Sequence, residues 1–358
     1  MESMESKETK ETKEAEEAQE TQEGSEGEEA QEVISLGWYD HQNCGDESFK
    51  EALRVLFPEV DFVFINNLSQ NIDLINSSSY LLIGGGNIVT GEFLSGLNQI
   101  TTPYSFIGVG LVGDSPLGFL QEAELVLVRD ITSQRRFRQA YYIPDLAFSL
   151  TPEEELGKRE LKRIPYIDSR KKTVGVFLND CVSASFYSTI LKFVEAEKAK
   201  LELARFLENL SYNVVFFPMS FSPPDDRRIS FDVIGKMNKG YKYTCITDPF
   251  EPVNCLSIVS ALDYAITMRL HASIFCTIAG IPFIDLLHHD KNKGYLETNG
   301  LENLGLDYYE LSIKSLSDKF AYLERDYERI SNTLIKIGRE NKRQLGEVIK
   351  NVHIPRRR

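Results

Sequence analysis

The sequence contains no apolar run approaching the roughly 18–20 residues that a membrane-spanning helix needs. Its five cysteines (Cys44, Cys181, Cys245, Cys255 and Cys276) form no CxxC pair and are odd in number. That spacing argues against a zinc ribbon or a disulfide framework and favours reduced thiols. The N-terminus lacks the apolar core and small-residue cleavage site of a signal peptide, and its glutamate content contradicts a transit peptide. A basic excess is missing as well: 40 Lys+Arg stand against 54 Asp+Glu, for a formal charge of −14. No nucleic-acid partner and no transmembrane segment are therefore expected, and the chain is expected to be soluble and cytoplasmic.

The negative charge is unevenly placed. Residues 1–32 hold thirteen Glu and three Lys, a balance of −10, which leaves −4 for residues 33–358. This segment has no aromatic and no β-branched aliphatic residue, so it cannot bury enough apolar surface to offset its ordering entropy. It is expected to be a disordered acidic tail.

From Val33 the pattern changes. Short apolar runs at 33–37, 61–65, 80–83, 105–109, 124–128 and 140–143 alternate with candidate helices at 46–56, 91–99, 116–122 and 131–138. Runs this short, rich in Val, Ile, Phe and Tyr, predict a parallel sheet covered on both faces. The charged stretch 151–172 holds two prolines and no apolar stripe, and reads as a linker, assigned to 156–172. The pattern then restarts, with strands at 173–178, 213–217, 243–246, 263–267 and 282–287. Candidate helices fall at 187–211, 228–239, 251–261 and 270–280. Residues 315–350 carry apolar side chains at three- and four-residue steps, as a core-packed helix requires. The 358 residues thus divide into two doubly wound α/β domains, 33–155 and 173–312, with a central cleft and a C-terminal helix and basic tail over 313–358. In such sheets ligands bind beyond the carboxyl ends of the strands.

The polar residues at those strand ends are the site candidates. After the first strand come His41, Asn43, Gly45, Asp46 and Glu47. Gly45 allows tight backbone geometry. Asp46 suits either a helix N-cap or a ligand contact, with Asn43 and Glu47 as further contacts to a hydroxylated ligand. His41 suits a cleft acid or base, or an exposed loop. Gly84, Gly85, Gly86 and Asn87 end the third strand, where backbone amides can approach a ligand closely. No Lys-Ser/Thr follows, so this is not a Walker A loop. Gly108-Val109-Gly110-Leu111-Val112-Gly113 matches the letters of a dinucleotide fingerprint but lacks an evident acidic ribose partner: Arg129 and Asp130 fall close to the required spacing, and other roles suit them better. Arg129 suits an anionic ligand or a helix-to-sheet salt bridge, and Asp145 a turn. The strongest signal is Asp263-Tyr264-Ala265-Ile266-Thr267-Met268-Arg269-Leu270-His271-Ala272, where an apolar strand delivers Arg269 and His271 to the start of an apolar helix. Helix N-termini favour anions, and a guanidinium plus an imidazole makes an anion site that can move a proton. His288, His289 and Asp290 follow the next strand, without a spaced partner for a metal.

Taken together, these pieces resemble the polysaccharide pyruvyl transferase family over roughly residues 33–300. The matching elements are Asn43-x-Gly45-Asp46-Glu47, the triple glycine, Arg129-Asp130-x-x-Ser133, Asp145-x-Ala147-Phe148, and Met268-Arg269-Leu270-His271-Ala272 with Gly280-Ile281-Pro282 behind it. Asp40-His41 departs from the pattern, since many members have a small residue there. The resemblance implies a two-domain GT-B-like fold. It also implies transfer of pyruvate from phosphoenolpyruvate onto two hydroxyls of a glycan, lipid-linked or nucleotide-linked sugar, giving a cyclic ketal. Phosphoenolpyruvate is then a donor substrate, and no cofactor and no metal are required. By the same resemblance Arg269 and His271 lie in the donor site, with Asn43 and Asp46 across the cleft. Arg269 is expected to bind an anionic group and His271 to move a proton or hold the leaving phosphate. Asp46 or Glu47 is expected to accept a hydroxyl proton. Two competing readings remain: a nucleotide-sugar glycosyltransferase of the same architecture, and a non-catalytic anion- or glycan-binding relative.

Overall fold

The computed structural model describes residues 32–113, 115–180 and 190–354. The expected acidic tail (except Glu32), Cys181, the start of the expected 187–211 helix and the terminal arginines lie outside the described residues.

The chain runs through β1 (Val33–Leu36), α1 (Cys44–Leu56), β2 (Phe62–Ile65), α2 (Ile72–Ser77), β3 (Tyr80–Gly86), β4 (Tyr104–Val109), β5 (Leu125–Val128), α3 (Ile131–Arg136) and β6 (Tyr141–Tyr142). These strands form one parallel sheet in the order β2-β1-β3-β4-β5-β6. After α4 (Glu154–Arg163) come β7 (Thr173–Phe177), α5 (Ile190–Glu208), β8 (Asn213–Phe216), α6 (Asp226–Gly235), β9 (Thr244–Cys245) and α7 (Pro252–Val259). Then follow β10 (Tyr264–Thr267), α8 (Leu270–Ala279), β11 (Phe283–Leu287), α9 (Asp290–Asn299) and β12 (Gly305–Asp307). This second parallel sheet has the order β12-β11-β10-β7-β8-β9. Helices α10 (Ile313–Arg325) and α11 (Tyr327–Ile349) close the fold.

The strands are buried on both faces, as in VISL of β1 and YAIT of β10, which explains their near-continuous apolar texture. In each sheet the strand order reverses once, between β1 and β3 and between β7 and β10. Crevices open at those points beyond the strand ends.

Several expected elements differ. Segment 91–99 is not a helix: Gly96 takes a left-handed φ of +94°, and only a 3-10 turn at Leu97–Gln99 forms. Segment 116–122 gives a 3-10 turn at Leu117–Leu120. The C-terminal segment is two helices, broken at Asp326. The stretch read as a linker carries α4, which docks on α7 so closely that the backbones touch at Gly157 and Ser257, where the Glu153 amide donates to Ser257 Oγ at 2.9 Å. Helix α11 runs back along α8, with Gly338 against the Thr277 backbone, and reaches α9 through Asn341 Nδ2 to Asn299 Oδ1 at 2.9 Å and the first half through Lys342 Nζ to Thr151 Oγ1 at 2.8 Å. One apolar cluster consequently spans both halves, from Val33 to Ile354, while a second fills the far face of the first sheet. Among the described residues no helix is long and apolar enough to cross a membrane.

A Cβ at Gly157 would stand 1.8 Å from the Ser257 carbonyl oxygen, a backbone atom that cannot step aside. Gly157→Ala should lower the urea midpoint, with a loss of about 1–3 kcal/mol or more as α4 is pushed off α7.

Candidate active site

Two helix N-termini, one from each half, meet across a cleft of about 290 Å³. On the first side, the loop leaving β1 enters α1 through Asn43, whose extended backbone (φ −101°) and Oδ1, accepting from the Gly45 amide at 3.1 Å, make it the N-cap. Of the two expectations for Asp46 the cap therefore falls to Asn43, and Asp46 sits one turn inward. There it lines the cleft with its carboxylate beside Gly86. Burial pushes the Asp46 carboxyl above its ordinary pKa, against the pull of His271, Arg129, Lys291 and Arg269. Glu47 points elsewhere: it accepts from the Asp40 amide at 2.6 Å and pairs with Lys50 at 2.7 Å, outside the cleft wall. Adjacent helical residues point about 100° apart, so only one of the two carboxylates can face the cleft.

The same loop is tied to the second half. The Cys44 amide donates to the Met219 carbonyl at 2.8 Å, the Phe221 amide to the Gln42 carbonyl at 3.1 Å, and the Ser222 hydroxyl to the His41 carbonyl.

On the second side, β10 ends at Thr267 and Arg269 becomes the N-cap of α8, with no side-chain hydrogen bond closing that helix end. The Arg269 guanidinium lies along buried Asp226, Nε to Oδ2 at 2.8 Å and Nη2 to Oδ1 at 2.5 Å. Asp226 also accepts from the Asp180, Met219 and Ser220 amides. The charge of Arg269 at the cleft wall is thus balanced, and Arg129 and Lys291 join it there.

His271 packs against Gly45, where a Cβ would lie 2.2 Å from Nδ1. Its buried Nε2 stands 3.7 Å from Asp145 Oδ1, beyond hydrogen-bond reach. Asp145 does accept the Ala147 amide, as a turn-former would, and Arg129 Nη1 at 3.2 Å. Burial opposes the charge of Asp145, but His271, Arg129 and the Ala147 amide together hold its carboxyl well below the usual range. Arg129 also reaches Asn87 Oδ1 through Nη2 at 3.2 Å. A polar chain, Asn87–Arg129–Asp145, therefore runs behind His271.

Of the sequence candidates, Asn43, Gly45, Asp46, Gly86, Asn87, Arg129, Arg269 and His271 line the cleft. Gly85, with φ +83°, instead packs its backbone on the Phe49 ring. His41 is not a lining residue; its ring stacks on Trp38 at 4.0 Å between centroids. Gly108 and Gly110 open onto a loop, not a helix, so the fingerprint letters lack their required context. Nε2 of His288 is engaged by Asn179 Nδ2 at 3.1 Å, and burial lowers its pKa. Trp38, Phe93, Met219 and Lys291 were not legible as lining residues, nor Asp226 as the partner of Arg269.

Behind the α8 N-terminus lies a buried network. Asp285 on β11 accepts from Ser273 Oγ at 2.7 Å and from Asn292 Nδ2 at 2.9 Å, and Ser273 Oγ meets Thr267 Oγ1 at 2.8 Å. Burial pushes the Asp285 carboxyl up to about 7, opposed by these hydrogen bonds. A raised carboxyl pKa means the folded state holds its proton more tightly than the unfolded chain does. The group's stabilising contribution is fully present below about 3.8 and is lost as pH rises to about 7. Across that window wild type should lose thermal stability relative to Asp285→Asn, as read by melting temperature at each pH.

Solved structures with related backbones share the fold at low identity. The S. aureus MnaA–UDP complex aligns with a TM-score of 0.55 at 10% identity, covering 92% of this chain and 100% of that one. Anabaena Alr3699/HepE in complex with UDP and glucose gives 0.54 at 9%, covering 89% and 97%. E. coli ADP-heptose LPS heptosyltransferase II gives 0.50 at 13%, covering 83% and 99%. The two-sheet architecture is accordingly the GT-B-like fold. No curated protein matches the sequence significantly. A family model does, over residues 43–290, a span that includes the α1 cap, Asp46, Arg129, Asp145, Arg269 and His271, and on that match the chain belongs to the polysaccharide pyruvyl transferase family.

Proposed function

We propose that the protein transfers the pyruvyl group of phosphoenolpyruvate to two hydroxyls of a sugar acceptor, forming a cyclic ketal and releasing phosphate. One observation carries this reading. The N-termini of α1 and α8 converge on a single small cleft where Arg129, Arg269, Lys291 and His271 face one carboxylate, Asp46. Phosphoenolpyruvate carries a phosphate and a carboxylate, and helix N-termini with guanidinium and ammonium groups suit both.

In the proposed sequence, protonation of the donor's methylene carbon makes the adjacent carbon electrophilic. A sugar hydroxyl attacks that carbon and gives up its proton. Phosphate departs with the C–O electron pair, and the second hydroxyl closes the ketal. One hydroxyl proton replaces the one added to the methylene carbon, and the other leaves with phosphate. Asp46, raised by burial, is the base for a hydroxyl proton. His271, backed by anionic Asp145, carries a proton to the donor or holds the departing phosphate. Arg129 and Lys291 neutralise the donor's charge. Arg269, already paired with Asp226, fixes the α8 N-terminus and presents its amides. This sequence of steps calls on no redox cofactor.

UDP appears in two of the structural neighbours, so a nucleoside diphosphate in the same cleft is the second reading. Thermal stabilisation by phosphoenolpyruvate and not by UDP is expected; the reverse would reject the proposal. Glycosides incubated with phosphoenolpyruvate should gain the mass of a pyruvate ketal. His271→Ala and Asp46→Asn should each lower kcat by about 10²-fold or more while the fold melts normally. The acid limb of kcat/KM should lie above the ordinary aspartate value of about 3.9, because burial raises Asp46. Gly45→Ala, which drives a methyl group into the His271 ring, should cost about 100-fold in kcat/KM although it removes no polar group.

A further inference from the structure

One wall of the cleft is not explained by binding an anion. Trp38, Ile88 and Phe93 bring apolar surface to a site otherwise lined by charge, and Trp38 is 41% exposed. A large indole held in water beside a polar cleft gains nothing from core packing. Yet its placement is over-determined. The His41 ring stacks on it at 4.0 Å and 20°, and the Phe93 ring leans on it at 6.2 Å and 48°.

The backbone that delivers this stack adopts unfavourable conformations. Asp40 and Gln42, the residues on either side of His41, both have left-handed φ, +63° and +52°, although neither is glycine. Such conformations persist only where surrounding contacts enforce them. Here the Asp40 amide is held by Glu47 at 2.6 Å and its carboxylate by Lys50 at 2.6 Å. The His41 and Gln42 carbonyls are held by Ser222 and Phe221 of the second half. Both halves of the molecule thus act on a five-residue loop whose result is one flat, exposed aromatic face at the cleft.

We infer that Trp38 is the platform for the acceptor, its indole taking the C–H face of a pyranoside ring while His41 and Phe93 fix its tilt. A sugar ring carries its hydroxyls around the edge and can present an apolar face of axial C–H bonds, which an aromatic plane matches while the edge hydroxyls stay free to react. The loop that departs from the family pattern at Asp40-His41 is then the loop that sets acceptor choice. This assignment rests on the proposed transfer to sugar hydroxyls, and it makes Glu47 a positioning residue acting through Asp40.

Trp38 is the only tryptophan in the chain, so its emission reports on the platform directly. The full chain, saturated with phosphoenolpyruvate, is titrated with methyl β-D-glucopyranoside, methyl β-D-galactopyranoside and methyl N-acetyl-β-D-glucosaminide. A saturable change in emission is expected with at least one of them. Trp38→Ala should raise the acceptor KM about tenfold and Trp38→Phe by less than about threefold. In both variants the thermal shift given by phosphoenolpyruvate should persist, which also verifies folding. The inference is overturned if no pyranoside alters the emission, if UDP alters it and the sugars do not, or if Trp38→Ala leaves the acceptor KM unchanged. A sugar-dependent emission change without any ketal product would sink the transfer reading and leave the platform standing. Ketal formation with an unaltered KM in Trp38→Ala would do the opposite.

Discussion

Two helix N-termini that face each other repel, because each ends in amide N–H groups aligned with a partial positive charge. Bringing α1 and α8 together therefore needs negative charge between or beside them. The chain supplies some of it permanently: Asp46 in the first turn of α1, Asp145 behind His271, and Asp226 along Arg269. These three carboxylates stand against Arg129, Arg269 and Lys291 around a small cleft that Asp46 lines directly. The helix ends themselves stay turned to the cleft, and the proposed anionic donor is the kind of ligand that such ends suit. The approach itself is as close as sterics allow, since the His271 ring occupies the space where any side chain at position 45 would begin.

The Arg269–Asp226 pair shows how the approach is maintained. Both groups are buried, and the pair is surrounded by three further amide donors to Asp226, so its lone pairs are satisfied. Removing one partner from such a pair leaves an uncompensated buried charge, which is far more costly than the pair's net contribution. Asp226 opens α6, Arg269 caps α8, and the Met219 and Ser220 amides belong to the segment that grips the β1 loop. A single ion pair thus couples the second half's loops to the first half's active-site helix. The return of α11 onto α8 and the docking of α4 on α7 fix the two sheets from the other side. Such positioning of both helix ends is what the proposed reaction, with two sequential attacks on one carbon, would need.

Much of this was legible in the sequence because parallel strands buried on both faces leave short apolar runs that polarity alone exposes, as at 80–83 and 213–217. The last strand, β12, was missed: Gly305–Asp307 is only three residues long and partly exposed. The charged stretch taken for a linker became α4 because it packs by backbone contact at Gly157, which leaves no apolar stripe to read. At the site, strand-end motifs placed Arg269, His271, Asp46 and Asn87 on the cleft, since topology alone carries strand ends there. Choosing between Asp46 and Glu47 required the rotation of α1, and recognising Asn43 as the cap required its φ. Asp226, 43 residues from Arg269, left no local pattern.

The family match begins at Asn43, the cap of α1, and ends at Asp290. Inside that span lie Asp46, Arg129, Asp145, Arg269 and His271, the groups suited to an anionic donor and to proton movement. Just before it lie Trp38, Asp40 and His41, the stacked and strained loop. The proposed donor would impose fixed demands, a phosphate and a carboxylate at set distances, on residues held at strand ends and helix starts, Arg129 after β5, Arg269 and His271 at α8 and Lys291 on α9. A sugar acceptor imposes shape and orientation, which a loop can alter without moving either helix. On the proposed reading the two demands fall on adjoining segments, the loop tied to α1 through Glu47 and Lys50 and to the second half through residues 219–222, so that side chains at 38–41 can vary while the groups of the cleft stay in place.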